Sequence, residues 1–142
     1  MELVRRFYDA YVHGDHDGSL ACVDPDVVYE VTQEPPARGR EAVRAIWERW
    51  ESSFDELETI PEEFIDAGDD VIVTVRYRGS GRGSGVEFDQ RSYDVCTVRD
   101  GLVVRKREFA ERADALRAAG LSSVTSTLVR MTAWRGRWSS TH

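Results

Sequence analysis

Two carboxylates, Asp94 and Glu108, occupy strand positions at which a soluble domain usually places apolar side chains. In the stretch "SYDVCTVRDGLVV" (residues 92–104), alternation puts Asp94 on the same face as Ser92, because successive side chains of a strand point to opposite faces. The same alternation puts Lys106 and Glu108 on the inner face of the next strand. A poorly solvated carboxyl has a raised pKa and can donate a proton near neutral pH, so the two carboxylates could act as acid and base.

A purely structural role for Asp94 is equally compatible with the sequence. Lys106 lies on the same predicted face, and a shift of one residue would bring Arg105 or Arg107 there instead. A buried ion pair between Asp94 and one of these cations would perturb its pKa without any chemistry.

Aromatic and apolar side chains are predicted to surround these carboxylates. Such a wall with a few convergent polar groups is the usual form of a small-molecule site. The first helix contributes Phe7 or Tyr8, and the first strand Tyr29 or Glu30. The predicted ligand-binding positions are Phe7, Tyr8, Tyr11, Tyr29, Ile46, Trp47, Trp50, Val73, Val75, Tyr77, Phe88, Gln90, Ser92, Cys96 and Lys106.

The elements that position these residues begin with helices. Apolar residues at helical spacing predict a first helix that stops at Gly14, and a short second helix that ends before Pro25. The β-branched segment 27–32 predicts a strand, and a third helix with an aromatic stripe is expected from Arg40 through Phe54.

The remainder predicts four antiparallel strands and a short closing helix. The strand segments are "ELETIPEEFIDA", "VIVTVRYRG", "VEFDQRSYDVCTVR" and "LVVRKREFA", and Asp100-Gly101 predicts a tight hairpin turn between the last two. The closing helix "ERADALRAAG" ends at Gly120. Helices followed by an antiparallel sheet predict an α+β fold.

Composition excludes several classes of protein. The 142 residues suffice for one domain, and the acidic net charge of −7 argues against a nucleic-acid-binding surface. No apolar run is long enough to span a membrane, and the charged start of the chain does not fit a secretory signal, so a cytoplasmic protein is expected. Cys22 and Cys96 are expected to be buried thiols, and His13 and His16 to be solvated, with no metal site.

The last part of the chain differs from the rest. Its final 22 residues contain three arginines and no acidic residue. We assign residues 1–121 to the domain and residues 122–142 to a basic tail that adds a strand, wraps a partner or is mobile.

The ordered set "GDHDG", "DPDVVYE", "RGREAVRAIW" and "VRDGLVVRKREFAERADAL" resembles SnoaL-like proteins of the nuclear transport factor 2-like superfamily, over about residues 3 to 121. The resemblance implies a cone-shaped α+β barrel in which three N-terminal helices pack on a curved, mostly antiparallel sheet. It also implies a pocket for a small hydrophobic molecule, and a homodimer formed through the sheet. The superfamily includes isomerases, cyclases, dehydratases and epoxide hydrolases, and no cofactor is expected.

The resemblance transfers only part of the chemistry of ketosteroid isomerases. Their protonated aspartate falls on Asp94, but their tyrosine falls on Phe7 and their base on Val31. Tyr8 and Glu30 are the neighbouring residues, on different faces of their elements.

Epoxide hydrolases of the limonene type offer a second comparison. Their late acid matches Glu108 in "KREFAE", whereas their Arg-x-Asp meets Arg76-x-Arg78, so one carboxylate is missing. Two hypotheses therefore remain: a cofactor-independent enzyme with Asp94 as acid and Glu108 as base, and a non-catalytic module that binds a ligand or a partner.

Overall fold

A computed structural model describes residues 1–32, 34–121 and 131–133. Its four helices are α1 (Glu2–Val12), α2 (His16–Leu20), α3 (Arg40–Ser52) and α4 (Arg112–Ala118). Gly14 adopts a left-handed φ of 77° after α1, as expected for a helix stop. The Asp15 side chain then caps α2 by accepting a hydrogen bond from the Gly18 backbone N–H at 2.9 Å. No described helix is long and apolar enough to cross a membrane.

The third helix is shorter than its aromatic stripe predicts. It ends at Ser52, and Phe54 begins the next strand instead of completing the stripe. The Phe54 ring still packs on Trp50, with ring centroids 4.6 Å apart. The helical spacing of apolar residues therefore extends beyond the end of α3, because Phe54 packs on Trp50 although it belongs to a strand.

Within the described part of the chain, seven strands form one sheet. They are β1 (Val23–Glu30), β2 (Ala37–Arg38), β3 (Phe54–Ala67), β4 (Asp70–Gly81), β5 (Glu87–Arg99), β6 (Leu102–Phe109) and β7 (Met131–Ala133). The spatial order is β2-β1-β6-β5-β4-β3-β7, and all neighbours are antiparallel except β1 and β6. This confirms the predicted α+β architecture of helices on a curved, mostly antiparallel sheet.

The sheet buries side chains on both faces. The helix-covered inner face holds the main core, which includes Val4 of α1, Val43 of α3 and Val73 of β4. On the outer face, α4 covers a smaller cluster around Ile72 and Val95. This outer cover explains why Ile72 is buried although its neighbours Val71 and Val73 point inward.

One irregularity in β6 decides which of its residues face inward. The β5–β6 pairing shifts between Thr97, which pairs with Arg105, and Val98, which pairs with Val103, leaving Val104 as the extra residue. Val103 therefore joins the inner core. Strict alternation back from Lys106 would place Leu102 and Val104 inward instead, so the prediction from alternation is wrong for this end of the strand. Beyond the bulge, the alternation places Lys106 inward as predicted.

The predicted basic tail lies mostly outside the described residues. Of residues 122–142, only β7 is described, and it pairs with β3 opposite Glu63, Phe64 and Ile65.

Gly79 is required by the close approach of β3 and β4. A Cβ atom at Gly79 would overlap the backbone carbonyl oxygen of Glu56, whereas a Cβ at Gly81 would meet the Ser84 hydroxyl at 2.9 Å and the Val86 carbonyl oxygen at an ordinary contact distance of 3.9 Å. We predict that Gly79→Ala lowers the free energy of unfolding by about 1–3 kcal/mol because a backbone cannot move aside like a side chain. Urea unfolding measures this effect. Gly81→Ala is the matched control, and equal losses in the two variants would contradict the prediction.

Candidate functional site

A network of buried polar side chains lies between the helices and the inner face of the sheet. Its centre is Asp94 of β5, which is 0% exposed. The Tyr8 hydroxyl of α1 donates a hydrogen bond to Oδ2 of Asp94. Lys106 Nζ of β6 lies 3.4 Å from the same Oδ2. Both donors therefore approach one oxygen of the carboxyl group.

The network continues from Lys106 to the remaining elements. Lys106 Nζ donates a hydrogen bond to the Tyr29 hydroxyl of β1 at 2.5 Å. The Trp47 indole N–H of α3 donates to the same hydroxyl at 3.0 Å. Lys106 Nζ also lies 4.4 Å from the centroid of the Tyr29 ring. The network thus connects two helices with three strands.

The second carboxyl oxygen of Asp94, Oδ1, lacks the hydrogen-bond donors that surround Oδ2. Oδ1 is buried and has no hydrogen-bond partner among the described residues. The hydroxyl of Ser92, two residues earlier on the same face of β5, is also buried without a partner in that part of the chain. Buried polar atoms are nearly always hydrogen-bonded, and an exception calls for a water molecule, an ion or a ligand. The inner face of β5 therefore carries two buried polar atoms, two residues apart in sequence, that have no partner among the described residues.

Burial dominates the protonation behaviour of this network. It raises the pKa of the Asp94 carboxyl above its ordinary value of 3.8, although Lys106 and the Tyr8 hydroxyl act in the opposite direction. Burial is the largest influence on the Lys106 pKa and lowers it, but the charges of Asp94, Tyr29, Tyr77 and Cys96 together outweigh burial and hold the ammonium pKa well above its ordinary value. Burial also raises the pKa of the Cys96 thiol to about 12, which keeps it protonated.

Glu108 lies beside Asp94 but in a more open position. The two residues are direct Cα partners in the β5–β6 register. Oε1 of Glu108 accepts hydrogen bonds from the Thr32 hydroxyl at 2.7 Å and from the Thr32 backbone N–H at 3.3 Å. Its negative charge contributes to the raised pKa of Asp94. The two carboxylates that the sequence singles out are therefore neighbours on adjacent strands.

The remaining predicted positions separate into groups. Phe7, Ile46, Val73 and Val75 are buried in the core, and Cys96 lies 3.8 Å from the Tyr8 hydroxyl. A second aromatic group consists of Trp50, Phe54, Tyr77 and Phe88, in which Trp50 is 37% exposed. Gln90 is exposed, and Tyr11 lines a separate small cavity with His16.

The resemblance to isomerases aligns their tyrosine with Phe7, but the neighbouring Tyr8 supplies the hydroxyl in this chain. The hydroxyl that reaches Asp94 belongs to Tyr8, whereas Phe7 packs its ring on Trp47 at a centroid distance of 5.9 Å. The alternative residue on β1, Glu30, lies 2.8 Å from Arg105, away from the network. The sequence allowed either an ion pair between Asp94 and Lys106 or an unpaired Asp94, and the ion pair is present.

An open cleft of about 790 Å³ lies elsewhere, at the ends of β3, β4 and β5. Charged residues, including Glu56, Glu58, Arg78 and Asp89, account for much of its lining. Asp94 and its hydrogen-bond partners do not line this cleft. We therefore place the candidate site at the buried network and not at this cleft.

The ion pair predicts a pH-dependent effect of Lys106→Met. The variant leaves Asp94 without its cation, which raises the carboxyl pKa further and makes its ionisation in the folded state more costly as the pH rises above 3.8. We expect the free energy of unfolding to fall by about 3–5 kcal/mol at pH 8, as when one partner of a buried ion pair is removed, and to fall by less at about pH 4.5.

Urea unfolding at the two pH values measures this difference. Arg105→Met on the same strand is the control, since the half-exposed pair of Arg105 with Glu30 should contribute less than about 1 kcal/mol. An equal loss for Lys106→Met at both pH values would contradict the coupling to Asp94.

Solved structures with the same architecture come from several sources. An NTF2-like protein from Burkholderia thailandensis E264 is 26% identical, covers 84% of this chain and 93% of its own, and superimposes with a TM-score of 0.72. A protein from Jannaschia sp. CCS1 described as a SnoaL-like polyketide cyclase is 25% identical over 76% of this chain and 82% of its own, with a TM-score of 0.69.

TerC, which was co-crystallised with polyporic acid, is 19% identical over 84% of this chain and 96% of its own, with a TM-score of 0.68, and supports the fold alone. No curated protein matches the chain significantly. The model of the SnoaL-like domain family matches residues 4–106, which include every residue of the buried network. The chain therefore belongs to the SnoaL-like domain family.

Proposed function

We propose that the protein binds a small, mostly apolar, ring-containing molecule whose oxygen function is recognised by Asp94. The observation that carries the proposal is the Oδ1 atom of Asp94, which is completely buried and has no partner among the described residues. The fold supports small-molecule binding, and the walls around Asp94 are aromatic and aliphatic. An apolar ligand with one well-placed oxygen would fit such surroundings.

The two oxygens of Asp94 would have different tasks. Tyr8 and Lys106 both approach Oδ2, so that oxygen remains an acceptor. A proton bound to Asp94 would therefore reside on Oδ1 and be donated to a ligand carbonyl. Without this proton, Oδ1 would accept a hydrogen bond from a ligand hydroxyl.

We further propose that the site supports acid–base chemistry of the isomerase, cyclase, dehydratase or epoxide hydrolase type. Asp94 would hydrogen-bond the substrate oxygen, and Glu108, its partner across the β5–β6 ladder, would remove a proton from a neighbouring carbon. Thr32 would hold the Glu108 carboxylate in place, since it donates two hydrogen bonds to Oε1.

The alternative is a module of the same fold that binds its ligand without chemistry. The contact of Lys106 with Asp94 favours it, because a cation at 3.4 Å stabilises the ionised carboxylate and works against proton donation.

The binding proposal predicts a preference that reverses with pH. Below the raised pKa of Asp94, its protonated Oδ1 should favour the ketone 2-tetralone, and above that pKa its carboxylate should favour 2-naphthol. Since a hydrogen bond contributes about 1 kcal/mol, each preference should be roughly fivefold. Isothermal titration calorimetry measures both affinities, and naphthalene, which has the rings but no oxygen, is the control ligand.

Asp94→Asn should prefer the ketone at every pH. Its carbonyl oxygen would face Tyr8 and Lys106, which leaves the amide N–H₂ at the position of Oδ1. Asp100→Asn, an exposed substitution of the same type in the β5–β6 turn, is the control and should behave as the wild type. Equal affinities of the wild type for naphthalene and both oxygen compounds would disprove recognition by Asp94.

The chemical proposal predicts that the protein accelerates hydrogen–deuterium exchange at the carbons next to the carbonyl of 2-tetralone. Because a positioned base contributes about 10²-fold or more, Glu108→Gln should remove most of the acceleration. Nuclear magnetic resonance in D₂O measures the rate, and Glu111→Gln, an exposed residue just beyond β6, is the control. Binding without accelerated exchange by the wild type would establish the non-catalytic alternative.

A further inference from the structure

A small cavity of about 90 Å³ lies where the ends of the helices meet the beginning of β3. Tyr11 near the end of α1, His16 at the start of α2 and Glu51 near the end of α3 line it, together with Leu57 and Thr59 of β3. We call it the helix-end pocket. At about 30 Å³ for each water molecule, it has room for about three waters, or for one water beside an acetyl-sized group.

His16 is held in a fixed orientation in this pocket. Its Nε2 lies 2.9 Å from Oε2 of Glu51, and the side chains are 19% and 28% exposed. The His16 ring stacks on Tyr11, with centroids 5.6 Å apart and an interplanar angle of 15°. Trp47 packs against it at 5.2 Å. With Nε2–H donated to Glu51, Nδ1 carries the lone pair and can accept a proton.

The Thr59 hydroxyl provides a second, independent observation. Thr59 is 3% exposed and lines the pocket, and its Oγ1 has no hydrogen-bond partner among the described residues. A buried hydroxyl without a partner is costly, so its presence in a cavity indicates a molecule that hydrogen-bonds to it.

The charges around the pocket restrict what can bind there. Glu51 brings a carboxylate, and the described lining residues include no lysine or arginine to attract an anion. Tyr11 also hydrogen-bonds Glu51, and burial with this neighbour raises the Tyr11 pKa well above its ordinary value. The pocket therefore suits a neutral hydroxylic molecule, of which water is the smallest.

We propose that the helix-end pocket is a second, hydrolytic site, in which Thr59 holds a water molecule and His16, oriented by Glu51, acts as its general base. His16 Nδ1 takes a proton from the water as the water oxygen bonds to the carbonyl carbon of a small ester. The bond from that carbon to the leaving oxygen then breaks, and the leaving oxygen receives the proton from His16. Water and ester are thereby converted into an acid and an alcohol.

The site predicts measurable hydrolysis of p-nitrophenyl acetate, whose acetyl group is small enough to enter the pocket beside one water molecule. The wild type should exceed the buffer rate, and His16→Asn should lower kcat/KM at least tenfold. His13→Asn, which replaces a neighbouring exposed histidine, should leave the rate unchanged. Glu51→Gln should lower kcat with an unchanged KM, because Glu51 acts through the orientation of His16. A wild-type rate equal to that of His16→Asn would overturn the proposal.

Thermal unfolding of Thr59→Val tests the bound water without any ester. Valine has the shape of threonine without its hydroxyl. If Thr59 holds a water molecule, the variant should have a lower Tm than the wild type and a lower hydrolysis rate. A higher Tm with an unchanged rate would show that the hydroxyl holds no water, and would overturn the proposal.

Discussion

The burial of one carboxyl group, that of Asp94, is the constraint on which the arrangement of the inner face depends. A carboxylate without solvent is strongly destabilising unless donors and a cation replace the water. Tyr8 supplies a hydroxyl and Lys106 an ammonium group, both directed at Oδ2. Tyr29 in turn accepts hydrogen bonds from Lys106 and Trp47. Satisfying Asp94 therefore fixes α1 and α3 against the sheet as well as its own strand.

The register of β6 makes this arrangement possible. Val103 and Lys106 lie three positions apart in the sequence, and in a regular strand they would point to opposite faces. The extra residue in β6 places both on the inner face, so that a core valine and the cation for Asp94 come from one strand. Without this bulge, the strand could bury Val103 or deliver Lys106, but not both.

Alternation in the sequence was sufficient to predict the sheet and the inward position of Asp94, because both follow from the regular period of the strands. It left open whether Asp94 has a cationic partner and whether that partner is Lys106, Arg105 or Arg107. It could not place the bulge, because the segment "LVVRK" has apolar residues at both odd and even positions, so alternation does not show which of them face inward. His16 was expected to be solvated because no third metal ligand lies near His13 and His16 in the sequence. Its actual partner, Glu51, lies 35 residues away, beyond the reach of such local reasoning. One signal was available: Glu51 follows Trp47 by four residues, which puts both on one face of α3.

The two polar sites differ in their access to water, and this difference favours different chemistry. Asp94 is fully enclosed, so burial favours its neutral form, and a hydrogen bond from it to a ligand would meet little competition from solvent. His16 and Glu51 remain partly exposed where the helices end, so they can exchange protons with solvent. A reaction that consumes water needs such access, whereas recognition of an apolar ligand benefits from its exclusion. Asp94 lies in the interior of a strand, and His16 and Glu51 lie at the ends of helices. These positions therefore govern the chemical role that each group of residues can take.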